Sequence, residues 1–462
     1  MSATLEMHNI IHIPASKSIA QRAIAAALLS DGTSVIENVT DCNDTIAALR
    51  LAQNLGAKVI KEDDILRVET VRPVLGFGCS TETQSTQSFT ERHCERSEAI
   101  QNTDTHWIVS GYRPRNDVAT DISHNFEDNS LVLNAGESAL SLRMFAPIAA
   151  LSGKEITMTG EGSLLNRPIE MIANALSQGG VQCTTNNGRL PLTLSGRLKS
   201  GCFHIDGSVT SQVLTGLLMA LPVVEGESVV MVENLKSKPY IDITLDVLKS
   251  FGIEIENIEY QTFKIRGNQK YMPCRYVVEG DWSSAAFWMV AGAIYNDVSV
   301  SGLSPNSKQA DCAILDALKK ANCTVEYRHD VFTSRKSEVE SFVFDALDCP
   351  DLVPVLTLLA ACATGISKIS GAGRLAHKES DRAAVLIQQF AKAGIVITQH
   401  DDILEITGGA IRGCVIDPHN DHRIAMTFSI ASLVATSEMV VENTECVGKS
   451  YPFFFIDFPK KV

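Results

Sequence analysis

The sequence lacks the marks of several large classes of protein. No apolar run approaches the roughly 18 residues of a membrane-spanning helix, so no span is expected. Met1 to Ile13 has no basic segment followed by an apolar core, so no secretory signal is expected and the chain reads as cytoplasmic. The twelve cysteines are scattered, without a Cys-x-x-Cys pair. They read as free thiols in a reducing compartment, not as a disulfide framework. Positive charge is short too: 40 Lys and Arg against 54 Asp and Glu, a net charge of −14. That argues against nucleic acid as a general partner, although a few Arg and Lys can still dominate a local cleft.

What remains, 45% hydrophobic and 20% charged residues in a chain of 462, is the composition of a soluble globular protein of two or more domains. It is also repetitive. Gly32-Thr33-Ser34-Val35-Ile36, Gly153-Lys154-Glu155-Ile156-Thr157, Gly226-Glu227-Ser228-Val229-Val230, Asn296-Asp297-Val298-Ser299-Val300, Gly365-Ile366-Ser367-Lys368-Ile369 and Ser437-Glu438-Met439-Val440-Val441 each turn into an extended segment. Their spacing is about 70 residues, the first interval being about 50 longer, which indicates one supersecondary unit copied six times.

Each copy alternates strand and helix periodicities. In the third, Val229–Val232 reads as a strand, Ile241–Phe251 as a helix ending at Gly252, and Ile253–Ile255 and Phe263–Ile265 as strands. A second helix per copy is small-residue rich and apolar all round: Ala23–Leu29, Leu140–Leu151, Val213–Leu221, Ala285–Ile294, Val353–Cys362 and Ile424–Val434. Such helices are buried, and six of them suggest two similar domains of three copies each. Gly76 to Asn129 interrupts the first copy as a polar, loosely ordered surface insertion. It holds His93, Cys94 and His106, whose spacing is poor for a metal, and no metal site is expected.

The buried helices open on reactive residues. The first begins Ser16-Lys17-Ser18-Ile19-Ala20-Gln21-Arg22. Ser18 and Gln21 have capping-box spacing, which gives Ser18 a purely structural reading as an N-cap. Lys17 and Arg22 are harder to dismiss, because cations at the positive end of a helix are unfavourable unless an anion binds there. The third opens on Asp206-Gly207-Ser208-Val209-Thr210-Ser211-Gln212, hydroxyls that suit either a phosphate or a cap. Lys378-Glu379-Ser380-Asp381-Arg382 reads as a solvated, salt-bridged helix start. Asn420-Asp421-His422-Arg423 sets an Arg at the edge of a buried helix, where a fixed partner is expected. Lys17, Arg22, Arg167, Lys378, Arg382, Arg423 and Lys449 recur at unit junctions of an acidic chain, which points to a cleft for at least two anionic groups. Asp351 and Glu379 are the carboxylates available for proton transfer.

With these motifs, and with Ser237-Lys238-Pro239-Tyr240-Ile241-Asp242 and Glu279-Gly280-Asp281, the chain resembles the 5-enolpyruvylshikimate-3-phosphate synthases, or 3-phosphoshikimate 1-carboxyvinyltransferases. The likeness runs from about Ile13 to Phe455, apart from the insertion. It implies an α/β (α+β) fold of two domains, each of three βαβαββ units about a pseudo-threefold: residues 15–278, and residues 1–14 with 279–462. The active site would lie in the cleft between them. It further implies a monomer without metal or organic cofactor, acting on phosphoenolpyruvate and 3-phosphoshikimate.

By the resemblance, Lys17 meets both substrates, and Ser18, Arg22, Thr210, Ser211, Ser237, Tyr240, Asp351 and Lys378 hold 3-phosphoshikimate. Gln212 lies between the two ligands, and Arg167, Arg382, Arg423 and Lys449 clamp phosphoenolpyruvate. Asp351 is the candidate base for the attacking hydroxyl. Glu379 with Lys17 is the candidate for protonating the methylene and later deprotonating it. Three departures stand out. Glu137-Ser138-Ala139-Leu140 replaces an Asn-Ala-Gly-Thr-like turn, so that Ala139 borders the phosphoenolpyruvate pocket where the family has Gly, and its methyl is expected to crowd bulky mimics such as glyphosate. Arg374 stands where an Asn usually contacts 3-phosphoshikimate, so that role is not carried over to it. The tail Tyr451-Pro452-Phe453-Phe454-Phe455 lacks the usual Asp after proline. The related transferase acting on UDP-N-acetylglucosamine uses a Cys on a loop that here, at Leu164–Pro168, has none. A ligand-binding protein that has lost catalysis would not need Lys17, Asp351 and Glu379 together.

Overall fold

The computed structural model describes residues 10–70 and 131–458. The 76–129 insertion, with His93, Cys94 and His106, lies outside the described residues. Eleven α-helices occur among those described: α1 (Lys17–Leu29), α2 (Asn43–Asn54), α3 (Ala139–Ala150), α4 (Glu170–Gln178), α5 (Gln212–Ala220), α6 (Lys238–Ser250), α7 (Trp282–Ile294), α8 (Ile314–Lys320), α9 (Val353–Ala361), α10 (Arg382–Lys392) and α11 (His422–Ala431). The odd-numbered helices are the apolar ones. α3, α9 and α11 are buried along their whole length, and α7 along all but Ile294. The even-numbered ones are amphipathic and cover the outside, each burying one stripe, such as Val385, Leu386, Gln389 and Phe390 of α10.

The second copy displays the unit. Leu131–Asn134 leads through α3 to the parallel strand Ile156–Thr159, α4 follows, and the hairpin Gln182–Asn186 and Arg189–Ser195 returns antiparallel to Ile156–Thr159. Among the described residues this βαβαββ plan gives five four-stranded sheets. The sixth copy is abbreviated to Val415–Ile416 and Val440–Val441 around α11. The aromatic tail then packs on α7, with Tyr451, Phe454 and Phe458 around Trp288. The repeated turns that open on glycine need it for a positive φ, as at Gly226 and Gly365, which sit at 90° and 100°.

Two local expectations change. Ile253–Ile255 is not a strand. Gly252 at φ 80° reverses the chain, and the Ile253 N–H closes the end of α6 on the Leu248 carbonyl (2.9 Å), so pairing starts only at Glu256. Ser18 is not an N-cap either. Ser16 occupies that position, and the Gln21 amide oxygen instead accepts from the hydroxyls of Ser138 (3.0 Å) and Ser141 (2.8 Å) on α3.

Buried apolar side chains form two clusters, one from Ala15 to Val278, the other from Ile13 and Trp282 to Phe454. Each borrows an edge strand. Ile11–His12 pairs with Val300–Ser301 in the second cluster, and Arg275–Val277 pairs with Val35–Glu37 in the first. The two crossing segments lie side by side and antiparallel. Ser16 N–H donates to the Glu279 carbonyl (2.9 Å) and Asp281 N–H to the Pro14 carbonyl (2.8 Å).

Candidate active site

The starts of α1, α3, α5 and α6 on one side, and the segments leading into α9, α10 and α11 on the other, converge on one cleft between the clusters. Its walls carry Lys17, Arg22, Arg143, Arg167, Arg374, Lys378, Arg423 and Lys449 against Asp44, Asp351 and Glu379. Eight cations facing three carboxylates make it strongly positive within a chain of charge −14. Helix N-termini pointing the same way add to that field.

The two candidate carboxylates are tied by one arginine. Arg382 is wholly buried; its Nε bonds Asp421 Oδ2 (2.7 Å), Nη1 bonds Asp351 Oδ1 (2.8 Å) and Nη2 bonds Glu379 Oε2 (2.7 Å). Asp351 also meets Arg423 (3.1 Å) and Lys378 (3.3 Å). Glu379 meets Lys449 (3.5 Å) and Arg167 (3.7 Å). Burial favours the neutral form of Asp351, but Arg423, Lys378 and Arg382 outweigh it and hold the pKa well below the usual range. Burial likewise works against ionised Glu379, and Arg382, Lys449 and Arg167 prevail. Both carboxylates are therefore ionised at neutral pH. Burial alone would lower Lys17, but Asp44 at 2.7 Å turns the balance and its pKa is raised. Lys378 goes the other way: burial pulls it down to about 8, although Asp351 opposes this.

The opposite wall carries hydroxyls. Thr210, Ser211 and Gln212 lead into α5, and Ser237 and Tyr240 open α6. Arg22 ties the start of α1 to α6, with Nε on Thr244 Oγ1 (2.9 Å) and Nη1 on the Ser18 carbonyl (2.7 Å). Contacts bridge the cleft at its rim. Lys449 Nζ bonds the Glu137 carbonyl (3.2 Å), and Ser237 N–H donates to Asp348 Oδ1 (2.7 Å).

A family model described as EPSP synthase (3-phosphoshikimate 1-carboxyvinyltransferase) matches residues 2–88 and 108–458. The chain belongs to this family. It is 36% identical to the 3-phosphoshikimate 1-carboxyvinyltransferase of Clostridium novyi (strain NT), covering 98% of this chain and 95% of that protein. It is 33% identical to the enzyme of that name from Clostridioides difficile (strain 630), over 97% and 94%. Among solved structures it resembles an EPSP synthase from Acinetobacter baumannii with a TM-score of 0.73 at 24% identity, over 97% of this chain and 94% of that one. The architecture is thus the two-domain fold of EPSP synthases.

Within this family frame, the cleft gathers every candidate residue named from the sequence except Arg382. That guanidinium is held behind Asp351 and Glu379 by three carboxylates, so its start of α10 is buried and not solvated. Three charged cleft residues had no role assigned from the sequence. Asp44, in the first turn of α2, binds Lys17; an acid in a first turn reads as an ordinary dipole partner, which hid it. Arg143 is buried in α3 and donates to Gln212 Oε1 (2.8 Å), which turns the Gln212 NH2 away from itself; an Arg in an apolar helix was the available signal. Arg374 reaches the wall that carries the hydroxyls. Ala139 lies in the cleft wall, at the first residue of α3. No helix among the described residues is long and apolar enough to cross a membrane.

Proposed function

We propose that this protein transfers the enolpyruvyl group of phosphoenolpyruvate to the 5-hydroxyl of 3-phosphoshikimate and releases phosphate, the shikimate-pathway step towards chorismate and the aromatic amino acids. The observation that carries the reading is the cleft itself, where eight cations surround two ionised carboxylates. Two phosphorylated substrates need such a field, and membership of the EPSP synthase family over nearly the whole chain supplies their identity. We take residues 15–278 as one domain and residues 1–14 with 279–462 as the other, in a monomeric cytoplasmic enzyme.

In this reading Ser18, Arg22, Thr210, Ser211, Ser237, Tyr240 and Lys378 hold 3-phosphoshikimate. Arg167, Arg423 and Lys449 receive phosphoenolpyruvate beside Ala139, and Gln212, oriented by Arg143, lies between the two ligands. Arg382 acts through the two carboxylates it aligns. Asp351, ionised and facing the acceptor, takes the proton of the 5-hydroxyl as its oxygen bonds to C2 of phosphoenolpyruvate. The methylene carbon gains a proton from the Lys17–Glu379 pair. Lys17 enters protonated, and the arrival of two anions raises the Glu379 pKa, so that the carboxyl can carry a proton. The resulting tetrahedral adduct has its carboxylate and phosphate among the cations. Loss of a proton from the new methyl group to Glu379 then expels phosphate and restores the vinyl group. The lysines and carboxylates titrate as a group, so each proton belongs to the set rather than to one side chain.

Phosphate release from phosphoenolpyruvate, assayed with 3-phosphoshikimate and separately with UDP-N-acetylglucosamine, tests the reading. Release with the first acceptor alone is expected. Release with the second alone, or with neither, refutes it.

A further inference from the structure

Arg374 is the cleft cation that the reading above leaves unused, and it is unusually well placed. It rides on the short 3-10 segment Ala372–His377, entered through Gly371 at φ 95°. A Cβ on Gly371 would stand 2.9 Å from backbone atoms of Ala346 and Leu347, so only glycine brings this turn so close to the neighbouring chain. Asp402 then fixes the turn, accepting from Gly371 N–H (3.0 Å) and Gly373 N–H (2.6 Å). The side chain is thereby aimed across the cleft. Nη1 donates to the Leu347 carbonyl (2.8 Å) on its own side and to Ser237 Oγ (3.0 Å) on the other. Nη2 approaches the Val209 carbonyl (3.4 Å), next to Thr210 and Ser211. The Nε–H is buried without a hydrogen-bond partner.

One guanidinium therefore touches both loops that present the cluster of hydroxyls. We propose that Arg374 binds the phosphate group of 3-phosphoshikimate from the opposite domain, completing a phosphate site whose other walls are Thr210, Ser211 and Ser237. This rests on the function proposed above. Neutral hydroxyls alone leave a doubly charged phosphate uncompensated, whereas a planar fork with N–H groups to spare matches its geometry. An Asn at this position would donate without charge and with a shorter reach. Because Arg374 belongs to one domain and the hydroxyls to the other, the phosphate would also hold the two together.

The discriminating quantity is a preference, not an affinity. Binding of 3-phosphoshikimate and of shikimate to the full-length protein is measured by calorimetry for wild type, Arg374→Gln and Arg374→Lys. If the guanidinium holds the phosphate, Arg374→Gln lowers the preference for the phosphorylated ligand about 10- to 100-fold. Arg374→Lys, keeping the charge but not the fork, falls between. A residue that only bridges the domains would weaken both ligands alike, and an unchanged preference overturns the proposal. The salt dependence of 3-phosphoshikimate binding is a second readout, expected to flatten in Arg374→Gln, and an unaltered dependence also counts against it. Wild-type protein that binds 3-phosphoshikimate but releases no phosphate from phosphoenolpyruvate with it overturns the parent reading instead.

Discussion

Lys378 shows how the site's charges depend on one another. Its pKa of about 8 reflects burial first and Asp351 second. An arriving phosphate favours the ammonium form, so binding of 3-phosphoshikimate takes up a proton wherever free Lys378 is neutral. The dissociation constant should be flat up to about pH 7.5 and rise by up to tenfold per unit above about pH 8.5. Titrations between these limits should find that limb missing in Lys378→Met; its persistence would exclude Lys378 as the source. Ala139 offers a second test at this scale. Its methyl lies in the cleft wall, and removing one methyl from a tight pocket is worth roughly 1–3 kcal/mol to a ligand it crowds. Ala139→Gly should therefore lower the glyphosate concentration for half-inhibition about tenfold or more. Equal inhibition of both proteins would remove the steric argument. Most of these residues could be named from the sequence, because cations stand out at helix starts in an acidic chain. The burial of Arg382 could not, since the carboxylate of Asp421 that holds it is 39 positions away.

At the scale of elements, the inner helices were legible because a polar start followed by an unbroken apolar run has few alternatives. Their ends were less so. The α6 terminus absorbed Ile253, a β-branched residue with every local sign of a strand, because capping the helix used its N–H. Nor does periodicity reveal where two helices touch. In α3, Pro147 cannot donate to the Arg143 carbonyl, and α5 approaches that same carbonyl at Gly216. A Cβ there would lie 2.6 Å from the oxygen, 2.9 Å from Pro147 Cγ and 3.1 Å from Met144 Cα. Alanine gains about 1 kcal/mol in helix propensity, but overlap with backbone costs about 1–3 kcal/mol or more. Gly216→Ala should thus lower the urea midpoint, and should weaken turnover by shifting Arg143 against Gln212. A midpoint at or above wild type would mean that the helices part at no cost.

The whole molecule is where sequence reasoning has least purchase. Period and motif imply two groups of three copies, yet nothing local says which helix starts face each other. That depends on which distant strand completes each sheet, as Ile11–His12 does beside Val300–Ser301 and Arg275–Val277 beside Val35–Glu37. The cleft closes through two ion pairs and a hydrogen bond: Arg167 to Glu379, Lys449 to Glu137, Arg374 to Ser237. Without anions, the cations lining it repel one another across the gap. Adding 3-phosphoshikimate should reduce the radius of gyration measured by small-angle scattering, and phosphoenolpyruvate or its mimic should reduce it further. Curves superimposable with and without ligands would exclude closure.

The paired crossing at Pro14–Ser16 and Glu279–Asp281 has a mechanical consequence. A single connecting strand is a swivel, free to twist as well as bend. Two antiparallel strands bonded to each other act as a hinge with one pin, because twisting would shear their shared hydrogen bonds. Any opening of this protein is thereby confined to one arc and retraced on the way back. Lys17 follows directly after the pin, so it travels least, and the side chain expected to meet both substrates stands near the fulcrum of the motion.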